Sequence, residues 1–288
     1  MKTKLLALLV AVMVFIFPTA SFADIVEGES IVTLGENLTE AQKQQLLNEM
    51  NAPSDAQIIT VSNAEEHKYL EGIVPKAQIG TRAISSSMIT YTKKGSGLVV
   101  QANNINWVTD AMYTNALITA GLKDAKVQIT APFNVSGTAA LTGLMKAYET
   151  TSETKIPDEV KKVANEEMVQ TAKLGDEIGE EKAIQLVTSV KEQIAKEQPQ
   201  TEEDLRSLIQ KVADQLGITL TEEQFNNLVA LFEKMKNLNI DWDQVGSQLN
   251  KAKEHVSSFL SSEEGQGFLE SLKDVFVSFI DFVKSLFK

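Results

Sequence analysis

The apolar residues of this chain follow one rule before about residue 150 and another after it, and that switch limits the folds available. In the first stretch, short β-branched runs alternate with helix-start signals. Ile31-Val32-Thr33-Leu34 ends at Gly35, Ile58-Ile59-Thr60-Val61 forms a second run, and Val127-Gln128-Ile129-Thr130 forms a last one closed by Pro132. Thr39 with Gln42, and Asn63 with Glu66, have the spacing of capping boxes. Segments 88–92 and 98–101 flank Lys93-Lys94-Gly95-Ser96-Gly97 and read as a β-hairpin. Helices are expected over 108–120, stopped by Gly121, and over 138–148. The order β-α-β-α-β-β-α-β-α predicts an α/β domain, and the hairpin makes its sheet mixed rather than purely parallel.

Beyond residue 150 no segment has strand character. Apolar residues recur at helical spacing over 157–173, 177–196, 202–216, 222–238 and 242–259, with a sixth segment over 263–287. Thr221 with Gln224 repeats the cap chemistry of Thr39 with Gln42, which two helix starts sharing one physical solution explain without a duplicated domain. The chain therefore reads as α+β overall: an α/β domain with a mixed sheet at 24–150, a polar linker at 151–156, and an all-α domain at 157–288.

Residues 1–23 have a different character. Lys2 and Lys4 precede an apolar run from Leu5 to Phe17, and Ser21-Phe22-Ala23 supplies small residues before a cut after Ala23. This is the order of a secretory signal, and a run of roughly 13 apolar residues is short for a bilayer span. Secretion across the cytoplasmic membrane is expected, with an extracellular or wall- or membrane-associated product and no integral span once the signal is removed. Removal takes two lysines and no acid, so the net charge of −12 becomes −14. Nucleic-acid binding, which needs a basic face, is disfavoured. With no cysteine in the chain, thiol catalysis and cysteine-ligated metals are excluded.

The segment Ala131-Pro-Phe-Asn-Val-Ser-Gly-Thr-Ala-Ala-Leu-Thr-Gly143, with Ala147-Tyr148-Glu149 after it, resembles the YpuA-like proteins, as do Ile84-Ser-Ser-Ser87 and Asn115-Ala-Leu-Ile-Thr-Ala-Gly121. These are exported proteins of Gram-positive, Bacillus-type and clostridial bacteria, grouped as a domain of unknown function. The resemblance implies export from a Gram-positive cell and supplies no activity and no catalytic residues.

Two places are candidate sites. At the strand-to-helix junction Pro132-Phe-Asn-Val-Ser-Gly-Thr138, exposed amides with the Ser136 and Thr138 hydroxyls have the chemistry to hold an anion, with Asn134 and Gly137 completing the turn. The competing reading is that Ser136 or Thr138 merely caps the helix. A nucleophilic role for Ser136 or for Ser85-Ser86-Ser87 needs a base, and the two histidines, His67 and His255, are poorly placed to supply one. Histidine spacing does not support zinc, and Asp241-Trp-Asp243 fails as a calcium loop because Val245 and Ala252 occupy ligand positions. No catalytic residue, metal or cofactor is implied. The paired acids, Glu166-Glu167 among them, read as helix-start or solvated-face charges.

The second place is the C-terminal segment, where Phe276, Phe279, Ile280, Val283 and Phe287 lie on one apolar stripe. Such a stripe packs on neighbouring helices or fits a partner groove. The expected function is that of a non-enzymatic envelope protein that binds another protein at the outer membrane face or wall, in wall synthesis or remodelling. A membrane-anchored wall-synthesis protein with a basic surface suits the acidic helical half as a partner. The alternative is an envelope-acting hydrolase or a small-ligand-binding protein with its site at the Ser136 junction.

Overall fold

Period-two alternation along the first strand, β1 (Ser30–Gly35), divides its side chains between two cores and so fixes the layering. Ile31 joins one apolar cluster, and Val32 and Leu34 join another. The computed structural model describes residues 26–75, 79–152 and 154–261. Among these, β1 is followed by α1 (Glu40–Glu49), β2 (Gln57–Val61), α2 (Asn63–Leu70), β3 (Ser86–Tyr91), β4 (Leu98–Ala102), α3 (Asp110–Thr119), β5 (Ala125–Thr130) and α4 (Ala140–Ser152). The expected element order holds. The protein is α+β, with a five-stranded mixed sheet in its N-terminal part and mostly helices after it.

The sheet order is β2-β1-β3-β5-β4. Here the hairpin expectation is corrected. β3 does not pair with β4; it runs antiparallel to both β1 and β5, and β4 lies parallel to β5 at the edge. The turn at Gly95 and Gly97 is real, but it is used differently: the Asp124 carboxylate accepts from the Gly97 N–H at 2.8 Å, and the Ala125 N–H donates to the Gly97 carbonyl. A non-local partner thus captures the strand start that a hairpin would have used. A smaller correction concerns α2, whose capping box is Ser62 with Glu65, one residue before the expected pair. Thr39 with Gln42 and Thr221 with Gln224 form the boxes that their spacing predicts.

Leu46 and Met50 of and after α1 cover Val32, Leu34 and Met88 on one face of the sheet. Helices α3 and α4 cover the other face, over Ile31, Ile89, Val127 and Ile129. Close approach of α4 depends on Gly143, where a Cβ would come within 2.9 Å of Thr33 Cγ2; the Thr33 hydroxyl donates to the Gly143 carbonyl.

The helical part comprises α5 (Asp158–Ile178), α6 (Glu180–Glu197), α7 (Glu202–Gln215), α8 (Glu222–Asn237) and α9 (Trp242–Ser261). Their amphipathic stripes build a second core around Leu186, Val190, Leu205, Ile209, Leu231 and Phe232. The core over the sheet does not stop at the 151–156 segment: Ile156, Val160, Ala164 and Met168, and Val245 and Leu249 of α9, belong to it. The Asp241 carboxylate accepts from the Gln244 N–H at 2.9 Å, at the start of α9. The secretory segment and the apolar stripe of Phe276, Phe279, Ile280, Val283 and Phe287 lie outside the described residues.

Candidate functional site

At the Ser136 junction the backbone is consumed by a neighbouring loop. Residues 104–106 continue beyond β4 and pair with 135 in a parallel bridge between Ile105 and Val135. The Val135 N–H donates to the Asn104 carbonyl, the Asn106 N–H to the Val135 carbonyl, and the Val108 N–H to the Ser136 carbonyl. Gly137 is buried at φ +92°, and a Cβ there would run into the Tyr113 hydroxyl and Ile105. The Tyr113 hydroxyl donates to the Gly137 carbonyl at 2.5 Å, and burial pushes its phenol pKa upward, so it keeps the proton it donates. Thr138 is buried, Ser136 half-buried and Asn134 exposed. Helix α4 starts at Ala140, two residues beyond the expected start. Ser85, Ser86 and Ser87 are all buried along the start of β3, and Ser86 Oγ accepts from the Gly35 N–H at 3.4 Å.

Two charged constellations that sequence reasoning missed lie on adjacent faces of α5. The first is sealed. Lys191 of α6 and Glu167 of α5 are both fully inaccessible and 2.7 Å apart. The ammonium also donates to the Asn115 carbonyl at 2.8 Å and to Thr119 Oγ at 2.7 Å, using all three of its protons. Thr119 in turn donates to the second Glu167 oxygen at 2.5 Å. Burial pulls the Lys191 pKa below the ordinary lysine value, and the Glu167 charge opposes that. This corrects the reading of Glu167 as a solvated charge. Its function is architectural, since it ties α3 to α5 and α6 through one dry network.

The second constellation is open. A groove of about 700 Å³ runs between the turn after α2, the outer face of α5 and α8. Its charged lining is Glu71, Glu159, Lys162, Glu166, Lys173 and Lys234, three of each sign, over Ile73, Val163 and Leu238. Lys234 pairs with Glu166 at 2.6 Å and Lys162 with Glu159 at 3.2 Å, while Lys173 donates to the Ile73 carbonyl at 3.1 Å. Gln170 donates to Glu166 at 3.0 Å, and its own buried carbonyl oxygen has no partner. The i, i+3 and i+4 spacing of charges along 159–173 was the available signal, but it also fits any solvated helix face. Among the described residues no group of three or more His, Asp or Glu side chains is arranged to hold a metal.

With this geometry in place, comparison with known proteins defines the family. The family described as "Protein of unknown function (DUF1002)" matches residues 34–252, most of the chain. The chain belongs to the DUF1002 family. It is similar to the Bacillus subtilis (strain 168) protein described as "Uncharacterized protein YpuA", at 52% identity over 279 residues, covering 96% of each chain. No solved structure matches it. The DUF1002 match takes in strands β2 to β5 with the end of β1, the sealed Lys191 cluster and the residues lining the groove. Among the described residues, no helix is long and apolar enough to cross a membrane.

Proposed function

We propose that this DUF1002 protein is exported and acts by binding another protein at the outer membrane face or wall, with the α5–α8 groove as its docking surface. The groove carries this reading: it offers three ammonium groups and three carboxylates above an apolar base, a pattern that complements a polypeptide with charges of both signs. The ammonium groups of its ion pairs stay about half exposed to water, so each pair contributes on the order of 1 kcal/mol and can exchange for a partner's charges. The signal-like order of residues 1–23 supports a partner outside the cytoplasmic membrane. The acidic helical half favours a partner with a basic surface, such as a membrane-anchored wall-synthesis protein.

In-cell lysine crosslinking followed by mass spectrometry tests this. The expected result is recurrent crosslinks from Lys162, Lys173 or Lys234 to one envelope protein. Crosslinks confined to this chain, under conditions that capture other envelope complexes, would count against the proposal.

A further inference from the structure

The wall of the groove that carries Glu71, Gly72 and Ile73 rests on a small core of its own. Leu70, Val74 and Ile79 close on Val169 of α5, as a cluster separate from the cores over the sheet and among the helices. Hydrogen bonds fasten it. Lys173 donates to the Ile73 carbonyl at 3.1 Å, and Asn63 and His67 of α2 reach the Gly80 carbonyl at 3.5 and 3.0 Å. Within the turn, the Glu71 N–H donates to the His67 carbonyl, and those of Ile73 and Val74 donate to the Leu70 carbonyl. A segment held by so small a cluster opens at a lower cost than the main cores.

Glu66 sits inside this fastening. Asn63 Nδ2, which reaches the Gly80 carbonyl, also donates to one Glu66 oxygen at 3.2 Å, while the other oxygen is buried without a partner. The cations on the elements packed against α2 are committed elsewhere. Lys146 of α4 holds Glu65 and the Thr60 carbonyl. On α5, Lys161 holds Glu149 and Lys162 holds Glu159. Lys68 of α2 holds Asp158, and Arg82, beyond Gly80, donates to the Asn37 carbonyl. Burial, helped by the Glu65 charge and opposed by the Asn63 bond, pushes the Glu66 pKa from 4.5 up to about 7. When α2 opens, the carboxyl meets water and ionises at its ordinary value. The open form then binds fewer protons than the closed one, so opening becomes easier as pH rises from about 4.5 to about 7 and levels off above that.

We propose that Glu66 is a proton-operated latch on this wall: its protonated form lets α2 and residues 70–75 stay closed on α5, and its ionisation releases them. The consequence rests on the docking proposal, which it deepens: the groove keeps this wall more often in acid than in alkali. Hydrogen exchange of the purified protein from about pH 5 to about pH 8, corrected for intrinsic exchange rates, tests the latch without any partner. A failure here therefore leaves the docking reading to the crosslinking experiment. The amides of Glu71, Ile73 and Val74 are expected to be less protected than those of β3 and β5, and to lose about tenfold in protection between pH 6 and pH 8. Glu66→Gln and Glu66→Leu, with no proton to lose, are each expected to hold that protection within about twofold over the same range. Protection equal to that of β3 and β5 throughout, no loss between pH 6 and pH 8 in the native chain, or an equal loss in both variants would overturn the proposal.

Discussion

Glu166 and Glu167 are neighbours on one helix, and each pairs with a lysine from another helix, yet they belong to different parts of the design. Glu167 is fully inaccessible and both of its oxygens are bonded, to Lys191 and Thr119. Glu166 keeps 15% of its side chain exposed, and its partner Lys234 keeps 57%. About 100° of helix rotation separates a dry network from a wet groove. The contrast teaches that chemistry alone does not set the worth of an ion pair. A sealed pair cannot lose one member without stranding the other, whereas an open pair has water as a substitute. The sealed cluster therefore serves the fold, and the open one remains available to a partner.

The largest effect is expected inside. Lys191→Met leaves Glu167 buried without a cation and should lower unfolding free energy by about 3–5 kcal/mol in urea denaturation. Adding Glu167→Leu should recover most of that loss, because a matched apolar pair often equals a buried ion pair. A double variant no more stable than Lys191→Met would break the account of the cluster.

Glu66 sharpens the comparison from a third side, as a buried carboxylate that pairs with no cation among the described residues. It is 1% exposed; one oxygen accepts from Asn63 at 3.2 Å and the other has no partner. Burial pushes its pKa up to about 7. The folded state therefore binds more protons than the unfolded state between about pH 4.5 and pH 7, so its contribution to stability falls as pH rises through that window. At pH 8 the penalty is roughly 3 kcal/mol at most. Glu66→Gln should stabilise the protein at pH 8 by about 1–3 kcal/mol and change it little at pH 4. Parallel stability–pH curves for the two proteins would contradict this.

The smallest stability effect is expected in the groove. Lys234→Glu should shift unfolding free energy by less than about 1 kcal/mol, while abolishing recurrent partner crosslinks.

Much of this fold was legible in the sequence because its signals are local. Thr39 with Gln42, Thr221 with Gln224, and the helical periodicity after residue 157 each act within a few residues. The β3–β4 hairpin misled because its turn chemistry is local while strand pairing is not: β5, 23 residues further along, takes the place beside β3 that a hairpin would give to β4. The cap at Ser62 was ambiguous because Ser62 with Glu65 and Asn63 with Glu66 have the same spacing. Glu167 could not be told from Glu166, since its partner lies 24 residues away on another helix. The Ser136 junction was visible as a turn, but its pairing with residues 104–106 was not, because nothing local links the two loops.

The central claim is that the groove side of α5 is the docking surface. A photo-crosslinking residue placed at exposed Asn227, on the groove wall, compared with one at exposed Gln101 on the sheet edge, tests it directly. The account predicts a discrete envelope-protein adduct from position 227 that Lys234→Glu removes, and no such adduct from 101. Equal adducts from both positions, or a 227 adduct indifferent to Lys234→Glu, would contradict it.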